Sequence, residues 1–506
     1  MSSPKTPADA SVDETNVPVS LLDTDLYKLT MQNAVLKLFP DSQSEYKFTN
    51  RAPDMLFSRK CHEWIEKRVG ALSTLRLTPA ERQYLEKNCP YFDAEYLDFL
   101  EKLQLDPANQ VQVTFVPQPS ITKHMAEAKG KKGSKRQKVD QSEQNAVEEN
   151  SDSAGPDEKG LIEMKIQGPW KECILYEVPL MSILSEGYFK FDDTDWKDDL
   201  EAVETLAKEK TFRLMIQSQG SILFSEFGTR RRRSYKVHEA VIKGLIAGDR
   251  EWASSEDGKR ALSLKKTPAA GGLAGTSNVH FAMKFGLRPV GTIAHEWIMA
   301  LGAKEDYNLP NIKAMDAWEK VYPPSATSPL HTMLTDTYTT RTFFQEFQAD
   351  PKRALRWNGL RHDSGSPMMF ARKVREAWQS IAKVTGKKVE EVVKGKKVIF
   401  SDGLDIDFAL EIWRTCEALG IDASFGIGTN LTNDFHRASD SSAKSKPLNI
   451  VIKLKRIDGL ECVKLTDDRT KHAGEEAEVS RVKKKLDDAE RAEYEQQMEG
   501  GDQVRV

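Results

Sequence analysis

The chain has 506 residues, 30% of them charged, and a formal net charge of −3 at pH 7. That length is too great for one small core and asks for two domains, or for one large barrel with additions. The near-neutral balance excludes the global basic field of a nucleic-acid binder, and no apolar run approaches the roughly 18 to 20 residues of a membrane span. Five scattered cysteines (Cys61, Cys89, Cys173, Cys416 and Cys462) never fall in a CxxC spacing. They fit a reducing intracellular compartment and offer no zinc site.

Residues 1–19 lack the charged-then-apolar pattern of a secretory signal and read as a disordered leader. The folded part opens with Leu22-Asp23-Thr24-Asp25, a plausible helix cap, followed by Leu26, Leu29, Thr30, Asn33, Ala34 and Leu38 at helical spacing, with Pro40 closing the helix. Tyr27 lies in the first turn, where it either covers a core edge or offers a flat ring to a planar ligand. Glu45 to Asn50 alternates as a short strand, and Thr78 to Leu103 reads as two helices, the first capped by Thr78 with Pro79 behind it.

Val111 to Val116 is a strand by alternation and β-branching, and Leu161 to Ile166 resumes the pattern. Between them, residues 122–159 hold almost nothing to bury and read as a disordered insertion. Its basic run at 131–138 is either solvated or a nuclear-import signal. Trp170 to Glu186 reads as a strand ending near Glu177 and Val178, with Pro179 near the start of the next helix. Asp195 to Gln217 is a charged amphipathic helical region.

From Ile222 onward one unit recurs: a short apolar segment ends in small, polar or charged residues, and a helix-compatible stretch follows. The ends are Phe224 to Arg230, Ala274 to Asn278, Gly291 to His295, Met333 to Thr337, Leu360 to Gly365, Val398 to Gly403 and Ser424 to Asn430. Leu448 to Leu454 is a further strand that could complete the set. Alternating strand and helix implies a parallel sheet, and seven or eight units suit a barrel better than a doubly wound open sheet. In a barrel the polar ends gather at the C-terminal face, where such folds keep their sites.

The chemistry of those ends suggests ligands. Gly426-Ile427-Gly428-Thr429-Asn430 offers a turn open to a phosphate monoester, although glycines also serve ordinary turns. Arg230 to Arg233 is either a solvated basic face or a clamp for a polyanion. Asp363 and Asp402 either cap turns or take ribose hydroxyls and Mg²⁺. Phe227 and Tyr27 could sandwich an aromatic ring. His295 is either structural near a helix start or a group for nucleophilic or acid–base work.

Taken in order, Leu22 to Lys28, Phe224 to Arg233, Gly275 to Asn278, Gly291-Thr292-Ile293-Ala294-His295-Glu296-Trp297, Leu360 to Gly365, Phe400 to Asp405, Phe425 to Asn430 and Lys464 to Asp468 closely resemble the nicotinate phosphoribosyltransferase family. The resemblance runs from about residue 20 to 472 and implies a type II phosphoribosyltransferase fold, an irregular α/β barrel packed with an α/β sandwich domain. Residues 20–221 are then the sandwich domain, 222–455 the barrel, and 456–506 a C-terminal segment returning to the first domain with a partly disordered tail. The implied reaction joins nicotinate to 5-phosphoribosyl 1-diphosphate, coupled to ATP hydrolysis through a phosphohistidine on His295, with Mg²⁺ brought by the diphosphate. By the same resemblance, Tyr27, Phe227, Thr292 and Arg361 would bind nicotinate. Arg230, Asp363, Asp402, Gly428 and Thr429 would bind the phosphoribosyl diphosphate.

Two departures stand out. Ser366 follows Asp363-Ser364-Gly365 where the family commonly has Asp or Asn, and beyond Asp468 the match turns irregular, so no site is placed there. The expected partners are the two small substrates, without nucleic acid or membrane, in a monomer or homodimer. The expected location is cytoplasmic, and also nuclear if 131–138 works as an import signal. A nicotinamide- or quinolinate-using enzyme of the same fold and a nuclear scaffold are the alternatives.

Overall fold

The computed structural model describes residues 18–118, 155–197, 199–264, 271–325, 328–468 and 471–501. Residues 1–17 of the expected leader, and residues 122–154 of the expected insertion with the basic run, lie outside the described residues. The insertion ends earlier than expected. Lys159 already begins a strand, and Glu158 takes the Arg59 guanidinium at 2.9 Å.

Two large sheets organise the chain, beside a two-stranded ribbon of β11 (Phe435–His436) and β12 (Lys444–Ser445). The first is antiparallel and contains β1 (Gln43–Asn50), β2 (Phe57–Ser58), β3 (Val111–Pro117), β4 (Lys159–Pro169), β13 (Ile450–Ile457) and β14 (Leu460–Glu461), in the order β14-β13-β1-β4-β2 with β3 also on β4. Alternation sets its buried face: Ser44, Tyr46 and Phe48 of β1 point inward, as do Ile162, Met164 and Ile166 of β4.

The second sheet holds β5 (Leu223–Glu226), β6 (Gly272–Thr276), β7 (Thr332–Leu334), β8 (Gly359–His362), β9 (Lys397–Phe400) and β10 (Ala423–Ile427). Every pairing in it is parallel, in the order β6-β5-β10-β9-β8-β7. Its first and last strands in the chain, β5 and β10, are hydrogen-bonded neighbours. The strands thus follow chain order round a ring, β10 returning to β5 and only β6 and β7 unpaired with each other, which is the order of an irregular barrel and not of an open doubly wound sheet. The Gly291 stretch supplies only a single bridge, Thr276 to Pro289, in place of a full strand.

Two expectations change. The strand from Leu448 does not complete the barrel. As β13 it pairs antiparallel with β1, where Ile450, Ile452 and Leu454 complete the first core. The stretch from Trp170 is helical, a turn at Trp170–Cys173 and then the helix Glu177–Phe191. A continuous apolar run does not distinguish a buried strand from a buried helix, and Pro179 is tolerated in a first helical turn.

The helix Leu26–Leu38 lies between the two halves and is buried along its length from Leu26 to Val35. Its polar side chains Lys28, Thr30, Gln32 and Asn33 are therefore internal, and each makes a hydrogen bond. Gln32 donates to the Lys171 carbonyl at 2.7 Å, and Asn33 donates to the Tyr322 hydroxyl at 3.0 Å. On its far side Trp170 and Trp297 stack at 6.2 Å with Phe39 against both. This packing fixes the start of the helix His295–Lys304. Among the described residues no helix is long and apolar enough to cross a membrane.

Candidate active site

The C-terminal ends of the barrel strands open into a cleft of about 860 Å³. Tyr27, Phe227, Arg230, His295, Arg361, Asp363, Asp402, Gly428 and Thr429 all line it. Of the ten residues to which the resemblance gives a site role, only Thr292 is missing from the lining. Its side chain is buried, with the hydroxyl 3.5 Å from the neighbouring Ile293 carbonyl.

Local sequence explains how each group is aimed. Phe227 follows β5 and is pinned by its N–H to the Ile427 carbonyl at 2.9 Å, so its ring lies over Gly426. A Cβ at 426 would land on that ring, which is why the first glycine of the turn is needed. Gly291 does a similar job for Tyr27: a Cβ there would come within 2.9 Å of the Tyr27 nitrogen. The turn before His295 can therefore press against the first turn of the Leu26–Leu38 helix.

The arginine run divides sharply. Arg230 reaches the cleft, and Arg231 lines it while donating to the Ile450 carbonyl at 3.1 Å. Arg232 is fully buried in a bidentate pair with Asp23, both contacts at 2.8 Å. Arg233 is buried beneath the rings of Phe189, Trp196 and Phe435. Two of the four cations thus hold the fold together, which corrects the reading of the whole run as an anion clamp.

His295 opens its helix and makes three polar contacts. Nδ1 lies 3.0 Å from Thr337 Oγ1, and Nε2 lies 2.7 Å from Lys464 Nζ and 3.2 Å from Asp363 Oδ2. Burial and then the Lys464 ammonium lower the affinity of the ring for a proton, which favours a neutral, nucleophilic imidazole. Asp363 is half-buried, which alone would raise its pKa, but the Arg361 guanidinium holds its carboxyl well below the usual range. Arg361 is aimed by Ser401 at 2.9 Å and by Asp363 at 3.1 Å.

A cationic wall faces these carboxylates. Lys471 donates to both oxygens of Asp402, at 2.8 and 2.7 Å. Burial, then the nearby Lys464, Arg51 and Lys471, push the Lys453 ammonium down to about 7. Burial with Arg230 and Arg51 likewise lowers the Arg231 guanidinium to about 10. Cations crowded until they weaken one another favour a polyanionic ligand that would relieve them.

Sequence reasoning missed Lys464, Lys471 and Lys453 because they come from β13 and the segment behind it, far from any barrel strand. It also missed Glu177, which lines the cleft from the helix read as a strand. The Lys464 to Asp468 match was the available signal for the first of these.

The comparisons with known proteins agree with this geometry. The nicotinate phosphoribosyltransferase (NAPRTase) family matches residues 222–490, and the NAPRTase N-terminal domain matches residues 22–126. The chain is 36% identical to a Schizosaccharomyces pombe protein named "Probable nicotinate phosphoribosyltransferase", covering 92% of this chain and 97% of that one. It is 34% identical to the Saccharomyces cerevisiae nicotinate phosphoribosyltransferase, covering 94% and 96%. The crystal structure of nicotinate phosphoribosyltransferase from Porphyromonas gingivalis superposes with a TM-score of 0.70 at 32% identity, covering 92% of this chain and 99% of that one. With both domains matched in order and the cleft lined by the shared motifs, the chain belongs to the nicotinate phosphoribosyltransferase family.

Proposed function

We propose that this cleft joins nicotinate to 5-phosphoribosyl 1-diphosphate, forming nicotinate mononucleotide and diphosphate, with ATP hydrolysis coupled through a phosphohistidine at His295. The reaction is the entry of nicotinate into NAD synthesis. The observation that carries the reading is the convergence, in one cleft, of two aromatic rings, a glycine-threonine turn and a neutral imidazole set among cations.

The roles are those the family resemblance implies, and the shared lining of the cleft supports them. Tyr27 and Phe227 clamp the pyridine ring, and Arg361 takes its carboxylate. Thr292, buried behind the lining, is left a supporting part in that pocket. Arg230 receives the diphosphate, Gly428 and Thr429 the 5-phosphate, and Asp363 and Asp402 the ribose hydroxyls. No protein base is required, because the pyridine nitrogen attacks with its own lone pair. The work left to the chain is alignment of the anomeric carbon and stabilisation of the departing diphosphate. At His295 a ring nitrogen takes the terminal phosphoryl group of ATP with loss of ADP, and water later returns it as phosphate.

A divalent cation fits beside His295. Asp336 and Asp363 are the carboxylates that would hold it, one oxygen of each lying within 4.8 Å of the other, and Asp336 Oδ1 has no hydrogen-bond partner among the described residues; the Nε2 lone pair of His295 is already taken by Lys464. Mg²⁺ held there would supply charge neutralisation for phosphate oxygens.

The deciding experiment is single-turnover formation of nicotinate mononucleotide with and without ATP, alongside phosphohistidine detection. His295→Ala should lose both ATP stimulation and the phosphohistidine while keeping a slow uncoupled transfer. Equal stimulation of variant and wild type would reject the coupling, and preference for nicotinamide in direct competition would reject the substrate. We place the activity in the cytoplasm, and also in the nucleus if residues 131–138 act as an import signal. Even distribution of a reporter fused to residues 122–159 would remove the nuclear assignment.

A further inference from the structure

A line of buried charges runs through the wall between Arg230 and His295. Lys28, with no exposed side-chain surface, places Nζ 2.5 Å from Glu177 Oε2 and 2.6 Å from Glu296 Oε2. Glu177 turns its other oxygen to Arg230 Nη1 at 3.2 Å. Glu296 gives its other oxygen to the Tyr46 hydroxyl at 2.6 Å and to the Trp170 indole N–H at 2.8 Å. The sequence of charges is Arg230, Glu177, Lys28, Glu296, alternating in sign, and Glu296 directly follows His295 on its helix.

The two carboxylates differ in how they are held. Glu296 has three donors and little freedom. Glu177 is divided between two cations, one of which, Arg230, is 41% exposed toward the cleft. Burial disfavours the Lys28 ammonium, yet Glu177 and Glu296 keep it protonated beyond the ordinary lysine range. The lysine is therefore a permanent charge, and it sets how much of Glu177 is left over for Arg230.

Any phosphate that binds Arg230 competes with Glu177. A phosphoryl group on His295 adds negative charge at the start of the Glu296 helix and draws Arg230 toward the cleft. Arg230 leaves Glu177 cheaply only if another cation keeps that buried carboxylate satisfied. We propose that Lys28 is a positioning residue that links phosphorylation of His295 to the grip of Arg230 on the substrate diphosphate, by holding Glu177 when Arg230 releases it. This rests on the ATP-coupled reading above.

Three variants test it, each read as the KM for 5-phosphoribosyl 1-diphosphate with and without ATP, with phosphohistidine measured in parallel. Glu177→Gln frees Arg230 and leaves the Lys28–Glu296 pair intact. Its KM without ATP should fall about fivefold, toward the ATP-stimulated value of the wild type, with phosphohistidine formation unchanged. Lys28→Met leaves Glu177 with Arg230 alone, so KM should rise about fivefold and no longer respond to ATP. The double variant Lys28→Met, Glu177→Gln should return to the Glu177→Gln value. A lysine that merely supports the fold predicts instead that Glu177→Gln raises KM and that the double variant is worse than either single one. Either of those results overturns the proposal. If Lys28→Met does not fold by circular dichroism, Glu177→Gln decides alone: an unchanged or raised KM rejects the link. A wild type with neither ATP stimulation nor phosphohistidine sinks the coupled reading itself. A coupled wild type with a fully coupled Glu177→Gln sinks only this inference.

Discussion

Lys464 Nζ stands 2.7 Å from Nε2 of His295. An ammonium has no lone pair to offer, so the ring nitrogen accepts and the imidazole proton belongs on Nδ1, which donates to Thr337 Oγ1 at 3.0 Å. The segment carrying Lys464 is itself tied down, through Leu465 N–H to the Thr337 carbonyl at 2.8 Å. One turn therefore fixes both sides of the ring. Replacing Lys464 by Met should slow phosphohistidine formation by about 100-fold, the scale of losing one oriented donor in a dry site. The ATP-independent transfer should change far less. Rapid quench with γ-labelled ATP measures the first rate and nicotinate mononucleotide formation the second.

The ring clamp makes a separate prediction. Because a Cβ at 426 would strike the Phe227 ring, Gly426→Ala should push that ring off its position. The expected result is a KM for nicotinate raised about tenfold with a stability loss of about 1–2 kcal/mol. A KM that stays at the wild-type value in a folded protein would remove Phe227 from the nicotinate pocket.

Tyr27 and His295 line the same cleft within one chain. An equimolar mixture of Tyr27→Ala chains with His295→Ala chains should therefore show no recovery of coupled activity. A site shared across subunits would regenerate intact sites in the mixture and raise the rate above that of either variant.

Acid stability should report on Asp23 and Arg232. Burial alone would raise the Asp23 pKa, but above all the bidentate Arg232, with smaller help from His280 and Asn278, brings it down to about 2, from an ordinary 3.8. A carboxyl depressed in the folded state stabilises it above the unfolded value, and the contribution fades as pH falls through the folded one. Wild type should lose about 2 kcal/mol through this group between roughly pH 4 and pH 2. Asp23→Asn should be destabilised by about 3–5 kcal/mol at pH 7, because Arg232 stays buried without its counter-charge, and should lack that part of the acid slope. Urea unfolding at pH 7, 4 and 3 checks both.

Lys396 gives a control outside the site. Its ammonium donates to the carbonyls of Ala354, Leu355 and Trp357 at 3.1, 2.9 and 2.5 Å, closing the end of the helix Pro351–Arg356. Lys396→Met should cost about 2–4 kcal/mol by leaving those carbonyls unsatisfied. Neither KM should move.

How much of this was legible in the sequence depended on what each residue does locally. Strand ends such as Phe227, Arg361, Asp363 and Asp402 could be found because a barrel carries every such end to one face. Tyr27 and His295 needed the family motif, since nothing local distinguishes a ligand-facing ring or imidazole from a structural one. Arg232 and Arg233 misled because a run of four cations reads the same whether it faces anions or buries itself against Asp23 and three rings. Glu177 was hidden by a helix start that looks like a strand end. Lys453 and Lys471 were out of reach, and Lys464 was signalled only by the family match, for a different reason: their position depends on where β13 pairs, and strand pairing across hundreds of residues leaves no local periodicity to detect.

That pairing also governs the order of events as the chain is made. β1 is flanked by β4 on one side and by β13 on the other, with Phe48 opposite Ile452. Until residue 457 has left the ribosome, one edge of β1 has no partner, and an open edge invites association with other chains. The lysines facing His295 arrive with the same late segment. Folding should thus show a slow final phase in which the sheet gains its last long strand and the active site gains its cations together, so a nascent chain stopped short of β13 is both aggregation-prone and inactive.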